Sequence, residues 1–337
     1  MKKSLALLLV LTLIISMFAL VGCGSDDSTD GDALSVCVVV SSGFGDKSFN
    51  DSAKEGADRL ADDYGVNVSY IQCNEENYDQ QMRNAADNAD VVVPVGWQFY
   101  NVSEVADEYP DVKFIWVDNE VENVEDHPNI LCIKYAQNEG SFLAGYIAAK
   151  MSTSGVVGAV GGENSDVIND FIVGYKQGAK YANPDVDVVV NYANDYENPA
   201  KGKECAIALH DKGADVIFQI AGNTGNGVIE ACAEQGIYAI GVDQDQKISL
   251  PNYDETIICS MKKEVGTSIY DAIANYASKG TWEGGRIWTA DMGTGYIGIS
   301  YGDENSTQQI GEKLKAEVDE LSAKIVDGDI QVDTTRS

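Results

Sequence analysis

The feature that most limits what this chain can become is a rhythm. Short runs of β-branched and apolar residues recur along it, each followed by a segment whose apolar residues fall at helical spacing. The runs cover 34–40, 66–71, 91–95, 114–117 and 130–135, then 156–160, 186–190, 216–221, 238–242 and 257–260. Most are nearly all apolar, as a strand covered on both faces must be. Between them, Ala53, Ala57, Leu60 and Ala61 share one helical face, and Ile168, Phe171, Ile172, Tyr175 and Ala179 share another. Alternation of this kind builds parallel sheets layered with helices, an α/β architecture.

At 337 residues the chain exceeds what one hydrophobic core usually serves, so two lobes are expected. The rhythm breaks at Ser152-Thr153-Ser154-Gly155 and then restarts, which places a boundary there. The expected N-terminal lobe spans 34–151 and is completed by about 257–280. The C-terminal lobe spans 152–250 and is completed by about 285–337, including a last helix carrying Ile310, Leu314, Val318, Leu321 and Ile325. The glycine-rich stretch 284–302 shows no element.

Ahead of the first strand, Lys2 and Lys3 precede an apolar run over 5–21, the layout of a secretory signal. Leu20-Val21-Gly22-Cys23 resembles the bacterial lipobox, so residues 1–22 read as a signal peptide and Cys23 as the lipidated residue. Residues 23–33 read as a polar tether with nothing to bury. Removing residues 1–22 takes away Lys2 and Lys3 and no acid, moving the formal charge from −31 to about −33. Such a surface repels nucleic acid. The remaining cysteines sit inside apolar patterns without any C-x-x-C spacing, which favours buried free thiols over disulfides.

In an open parallel sheet, ligands sit beyond the carboxyl ends of the strands. Here those ends are Gly43 to Ser48, Gly96-Trp97, Asp118, Gly162 to Asp166, Gly222 to Gly227 and Asp243. They combine glycine, carboxylate and aromatic residues, which suits a neutral, planar, hydroxylated ligand: carboxylates accept from hydroxyls and rings stack on flat faces. Two other patterns are weaker. Gly222-x-x-Gly225-x-Gly227 departs from the dinucleotide order G-x-G-x-x-G. Gly298-Ile299-Ser300-Tyr301-Gly302 matches a hydrolase elbow, the remote alternative of a serine esterase, yet that fold places its histidine after the serine, and His127 and His210 both precede Ser300. With two histidines in the chain, no zinc site or other cofactor is expected.

Asp46-Lys47-Ser48-Phe49-Asn50 after the first strand, and later Asn138-Glu139-Gly140-Ser141-Phe142-Leu143-Ala144-Gly145, resemble the basic membrane protein family of substrate-binding lipoproteins, which includes purine nucleoside receptors of bacterial ABC transporters. Ala221-Gly222-Asn223-Thr224-Gly225 and Ile240-Gly241-Val242-Asp243-Gln244-Asp245-Gln246 extend the likeness. The resemblance implies a type I periplasmic-binding-protein fold: two Rossmann-like lobes around a hinged cleft, three crossings, and a nucleoside held between aromatic rings. By motif it implies Phe49 as one ring, Phe171 as the second with Trp97 or Phe218 behind it, and Asp118 as the base-reading carboxylate. Asp46 and Asn50 would shape the first loop. Ribose would fall to Asp243, the Gly222 loop and a lysine after Cys259, Lys262 being taken ahead of Lys263. The implied role is a monomeric, lipid-anchored protein on the outer face of the cell membrane. It would capture nucleosides without chemistry and deliver them to an ABC permease and its ATPase. A free sugar or signalling ligand is the alternative within the same fold.

Overall fold

The computed structural model describes residues 33–74 and 77–335; the expected signal peptide, Cys23 and nearly all of the tether lie outside them. The apolar runs form strands β1 (Ser35–Val40), β2 (Asn67–Gln72), β3 (Val91–Val95), β4 (Lys113–Val117) and β5 (Ile130–Tyr135). A second series follows as β6 (Val156–Gly161), β7 (Asp187–Tyr192), β8 (Val216–Ile220), β9 (Tyr238–Asp243) and β10 (Ile257–Lys263). Two short strands complete the set, β11 (Arg286–Ala290) and β12 (Ile297–Ser300), both inside the stretch where the sequence suggested no element. They pair in two sheets, ordered β11-β5-β4-β3-β1-β2 and β12-β10-β9-β8-β6-β7. All pairings are parallel except β12, which runs antiparallel to β10.

The two sheets repeat one order. In each, the first strand lies between the second and the third, so each lobe has a topological switch point at its first and third strands, where connections leave in opposite directions and open a crevice. The connections are α1 (Phe49–Tyr64), α2 (Tyr78–Ala86) and α3 (Val102–Glu108) in the first series. In the second they are α4 (Gln137–Met151), α5 (Asp166–Ala182), α6 (Pro199–His210), α7 (Gly222–Gln235) and the short α8 (Gln246–Ser249). Helices α9 (Val265–Lys279) and α10 (Glu312–Val326) follow. One apolar core cluster takes residues from both sheets, and each sheet's other face has its own, around Phe99 and Phe114 in the first lobe and Leu209 and Ile217 in the second.

Lobe membership departs from the expected boundaries. Helix α4 packs on α5, β10 and β12, so the first lobe's initial run ends near residue 136 rather than 151. The polar break at 152–155 is a turn, not a linker: Asp215 accepts from Ser152 Oγ at 2.5 Å and from the Thr153 and Ser154 N–H groups at 2.7 and 2.8 Å. Strand β10, expected with the first lobe, closes the second sheet, whereas α9 returns to pack on α1. Strand β11, expected with the second lobe, closes the first sheet before β12 goes back. The chain therefore crosses three times, near 136, 264 and 291–296.

Close helix packing draws on glycine. A Cβ on Gly145 would lie 2.0 Å from the Tyr175 carbonyl oxygen, and one on Gly178 would lie 1.8 Å from that of Phe142, so α4 and α5 meet backbone to backbone. The face of Gly140, Ala144 and Ala148 also approaches neighbours closely, with Gly140 against Ile297 and Met261. The six described cysteines are free, and all but Cys205 are buried. No helix among the described residues is long and apolar enough to cross a membrane.

Candidate functional site

Strand ends of both lobes converge on a cavity. From the first lobe, Ser41, Ser42, Asp46, Phe49, Asn50, Gly96, Trp97, Gln98 and Asp118 line it. From the second come Phe171, Tyr196, Gly222, Asp243 and Lys263 with apolar neighbours.

The opening loop is organised by Asp46. Its buried carboxylate accepts from the N–H groups of Ser48, Asn50 and Asp51 at 3.1, 2.8 and 3.0 Å, satisfying donors that the start of α1 leaves unpaired. Burial nonetheless pushes the Asp46 carboxyl up to about 7, with these N–H groups pulling the other way. Asn50 donates to Ser42 Oγ and the Gly43 carbonyl, both at 2.9 Å, which leaves its side-chain oxygen without a partner at the cavity. Asp46 thus caps the helix, Asn50 ties the helix start to the loop, and both line the cavity.

Asp118 follows β4 and Asp243 ends β9, with φ of +79° and +63°. This left-handed conformation is one that few side chains other than Asn and Asp tolerate, and each turn aims a carboxylate into the cavity. Asp118 meets Lys263 Nζ at 2.5 Å, a pair drawn from opposite lobes. Burial pushes the Asp118 carboxyl up, while Lys263 draws it back. Burial raises Asp243 to about 6, against the attraction of Lys263 and a hydrogen bond from Ser48. That Ser48 hydroxyl bond to Asp243 is a second link between lobes.

Lys263 corrects the choice of Lys262. Successive residues of a strand point to opposite faces. Lys263 is 1% exposed and lines the cavity, while Lys262 turns away to pair with Glu264 at 3.0 Å. The Lys263 ammonium lies 5.2 Å from the Phe49 ring centroid, 4.8 Å from that of Tyr135 and 5.1 Å from that of Phe171, within cation–π range of all three. One ring from each lobe, Phe49 and Phe171, therefore borders the cavity. Trp97 also borders it; Phe218 is fully buried behind Phe171, at 6.4 Å, and does not.

Of the eight ligand-contacting residues expected, the structure gathers seven around this cavity and leaves Lys262 out. Tyr135, Gln98 and Tyr196 were not anticipated, for none sits in a pattern that marks it. Ser300 ends the antiparallel edge strand β12, with no helix directly after it, so the elbow geometry is absent. His127 pairs with Asp107, and His210 faces the Ala214 carbonyl. No group of metal-ligating side chains occurs among the described residues.

Comparison with known proteins agrees with this architecture. The chain is 29% identical to basic membrane protein A of Borreliella burgdorferi, covering 97% of this chain and 96% of that one. It is 33% identical to basic membrane protein B of Borrelia garinii subsp. bavariensis, over 86% of each. An ABC transporter solute-binding protein from Aeropyrum pernix superposes with a TM-score of 0.81 at 26% identity, over 90% of this chain and 94% of that one. The family model described as ABC transporter substrate-binding protein, PnrA-like, matches residues 33–335. With two switch-point sheets, three crossings and a cavity between strand ends, the chain belongs to this family of basic membrane proteins, the substrate-binding components of ABC transporters.

Proposed function

We propose that this substrate-binding protein captures nucleosides, purine nucleosides foremost, and delivers them to an ABC permease and its ATPase without altering them. The reading rests on one observation above others: Phe49 and Phe171, a ring from each lobe, flank the same buried ammonium, which is bonded to the carboxylate of Asp118. Two aromatic faces suit a flat heterocycle, and a carboxylate suits its polar edge. In this reading Asp118 reads the base, Asp46 and Asn50 hold the loop that carries Phe49, and ribose hydroxyls meet Asp243, Gly222 and Lys263. Three carboxylates against a single lysine in the lining disfavour a phosphate, so a nucleoside fits better than a nucleotide. We place the protein outside the cytoplasm as a monomer, held to the membrane by lipid on Cys23.

Calorimetric titration of the mature protein with guanosine, inosine, adenosine and uridine tests this. Phe49→Ala and Asp118→Ala are expected to weaken binding by roughly tenfold or more, in line with losing a stacked ring or a charge-assisted hydrogen bond. Unchanged affinity in both variants would remove the pocket. D-galactose and a chromogenic ester in the same panel separate the alternatives. Sugar-only binding would favour a sugar receptor, and turnover lost in Ser300→Ala would favour a hydrolase.

A further inference from the structure

Four polar atoms at the cavity are buried without a hydrogen-bond partner: Asn50 Oδ1, Trp97 Nε1, Gln98 Oε1 and the Tyr196 hydroxyl. An unpaired buried polar group is destabilising, and protein interiors keep few of them. Three of the four stand together. Trp97 and Gln98 follow β3 in the first lobe, and Tyr196 follows β7 in the second, its hydroxyl within reach of the Trp97 indole N–H and Ser165. These three residues also line an outer cleft, so they form the wall between cavity and mouth.

The wall is built, since two strand-end glycines make room for it. A Cβ on Gly96 would lie 2.5 Å from Gln98 Oε1, and one on Gly162 would lie 2.1 Å from the Tyr196 ring. Gly96 has φ of +123°, which seats Gln98 back over the strand end. Among the described residues no lysine or arginine lines the outer cleft, whereas Glu163 and Glu197 do, so an anionic group is disfavoured on this side.

We infer that Trp97, Gln98 and Tyr196 form a further hydrogen-bonding subsite, closed by the meeting of the lobes, that reads a neutral ligand edge carrying a donor beside an acceptor, such as a lactam. Gln98 Oε1 takes the donor, Trp97 Nε1 gives to the acceptor, and the Tyr196 hydroxyl serves either. The inference rests on the nucleoside reading and adds to it a second point of recognition at the outward edge.

The test pairs two ligands with two readouts. Inosine carries a lactam edge and purine riboside does not; each is titrated into wild type, Gln98→Ala, Trp97→Phe and Tyr196→Phe, and the melting temperature of each ligand-free protein is measured. Inosine affinity is expected to fall roughly 5- to 50-fold in each variant, the loss of one buried hydrogen bond, while purine riboside binding changes little. Ligand-free melting temperatures are expected to stay level or rise, because Tyr196→Phe and Gln98→Ala remove groups that lack partners. Wild-type inosine affinity in Tyr196→Phe and Gln98→Ala would overturn the inference; so would lowered ligand-free melting temperatures in both, which would mean that these groups are paired within the protein. If Phe49→Ala abolishes inosine binding while these variants bind normally, this inference falls alone. If wild type binds no nucleoside, both readings fall.

Discussion

At the scale of single residues, the site concentrates groups held away from their ordinary protonation. Asp46 and Asp243 are buried at strand and helix ends, and burial raises them to about 7 and about 6. Each keeps its proton in the folded protein at pH values where the unfolded chain has lost it. The stabilisation from the bound proton is therefore complete below about pH 4 and is lost as pH rises through 6 and 7. The ligand-free protein should accordingly lose melting temperature between pH 5 and 7.5, and Asp46→Asn should flatten that slope. The variant should also melt lower throughout, since an amide offers one acceptor oxygen to the three N–H groups that Asp46 satisfies. Differential scanning calorimetry at half-unit pH steps measures this. An unaltered slope in Asp46→Asn would mean that the wild-type carboxylate is already ionised across the window.

At the scale of elements, legibility followed the locality of the cause. Ten strands could be read from composition: eight are covered on both faces and must be apolar, and the edge strands β2 and β7 still carry β-branched and aromatic residues in their runs. β11 and β12, also at sheet edges, escaped because they lack such a run: Arg286 and Ile287 are exposed, and Gly298 and Ser300 carry no apolar pattern. The three crossings were implied by family resemblance, yet their positions were misjudged, since a helix shows its own apolar face but not the sheet it will cover. Asn138 and Glu139 illustrate this. In sequence they mark a family motif; in the fold, Glu139 takes the Met292 N–H at 2.9 Å and Asn138 holds the Val332 carbonyl at 3.0 Å, tying the third crossing and the C-terminal segment to α4. Within the site, Asp118 and Asp243 were legible as strand ends, whereas Gln98 depends on room that Gly96 leaves and Tyr196 on room that the remote Gly162 leaves. The same dependence makes the α4–α5 contact a sharp test. Gly178→Ala sets a methyl against the Phe142 backbone, which cannot swing aside as a side chain would. The helices must part, at a cost of about 1–3 kcal/mol. A fall of roughly 2–10 °C in melting temperature follows for a domain of this size. No fall would place α4 and α5 farther apart than described here.

At the scale of the whole molecule, the lobes are joined on both sides of the cavity. Toward the crossings, Lys263 meets Asp118 and Ser48 meets Asp243. Gln246 Nε2 reaches the Lys47 carbonyl at 3.0 Å. Toward the mouth, Glu197 Oε1 of the second lobe accepts the Gly43 N–H of the first at 2.7 Å. Glu197 lines the outer cleft and not the cavity, so for a neutral ligand held in the cavity its influence runs through closure. A contact made in the closed form alone shifts the balance between forms by its own free energy. For a partly exposed charge-assisted hydrogen bond this is about 1 kcal/mol, a factor of roughly five. Glu197→Ala should therefore speed ligand release about three- to tenfold in stopped-flow displacement, with association nearly unchanged. Its ligand-free radius of gyration by X-ray scattering should exceed that of wild type, and saturating ligand should bring the two together. Equal release rates and equal radii would show that the contacts beside the crossings hold the lobes closed unaided, and that the Glu197 bond is a consequence of closure rather than a cause.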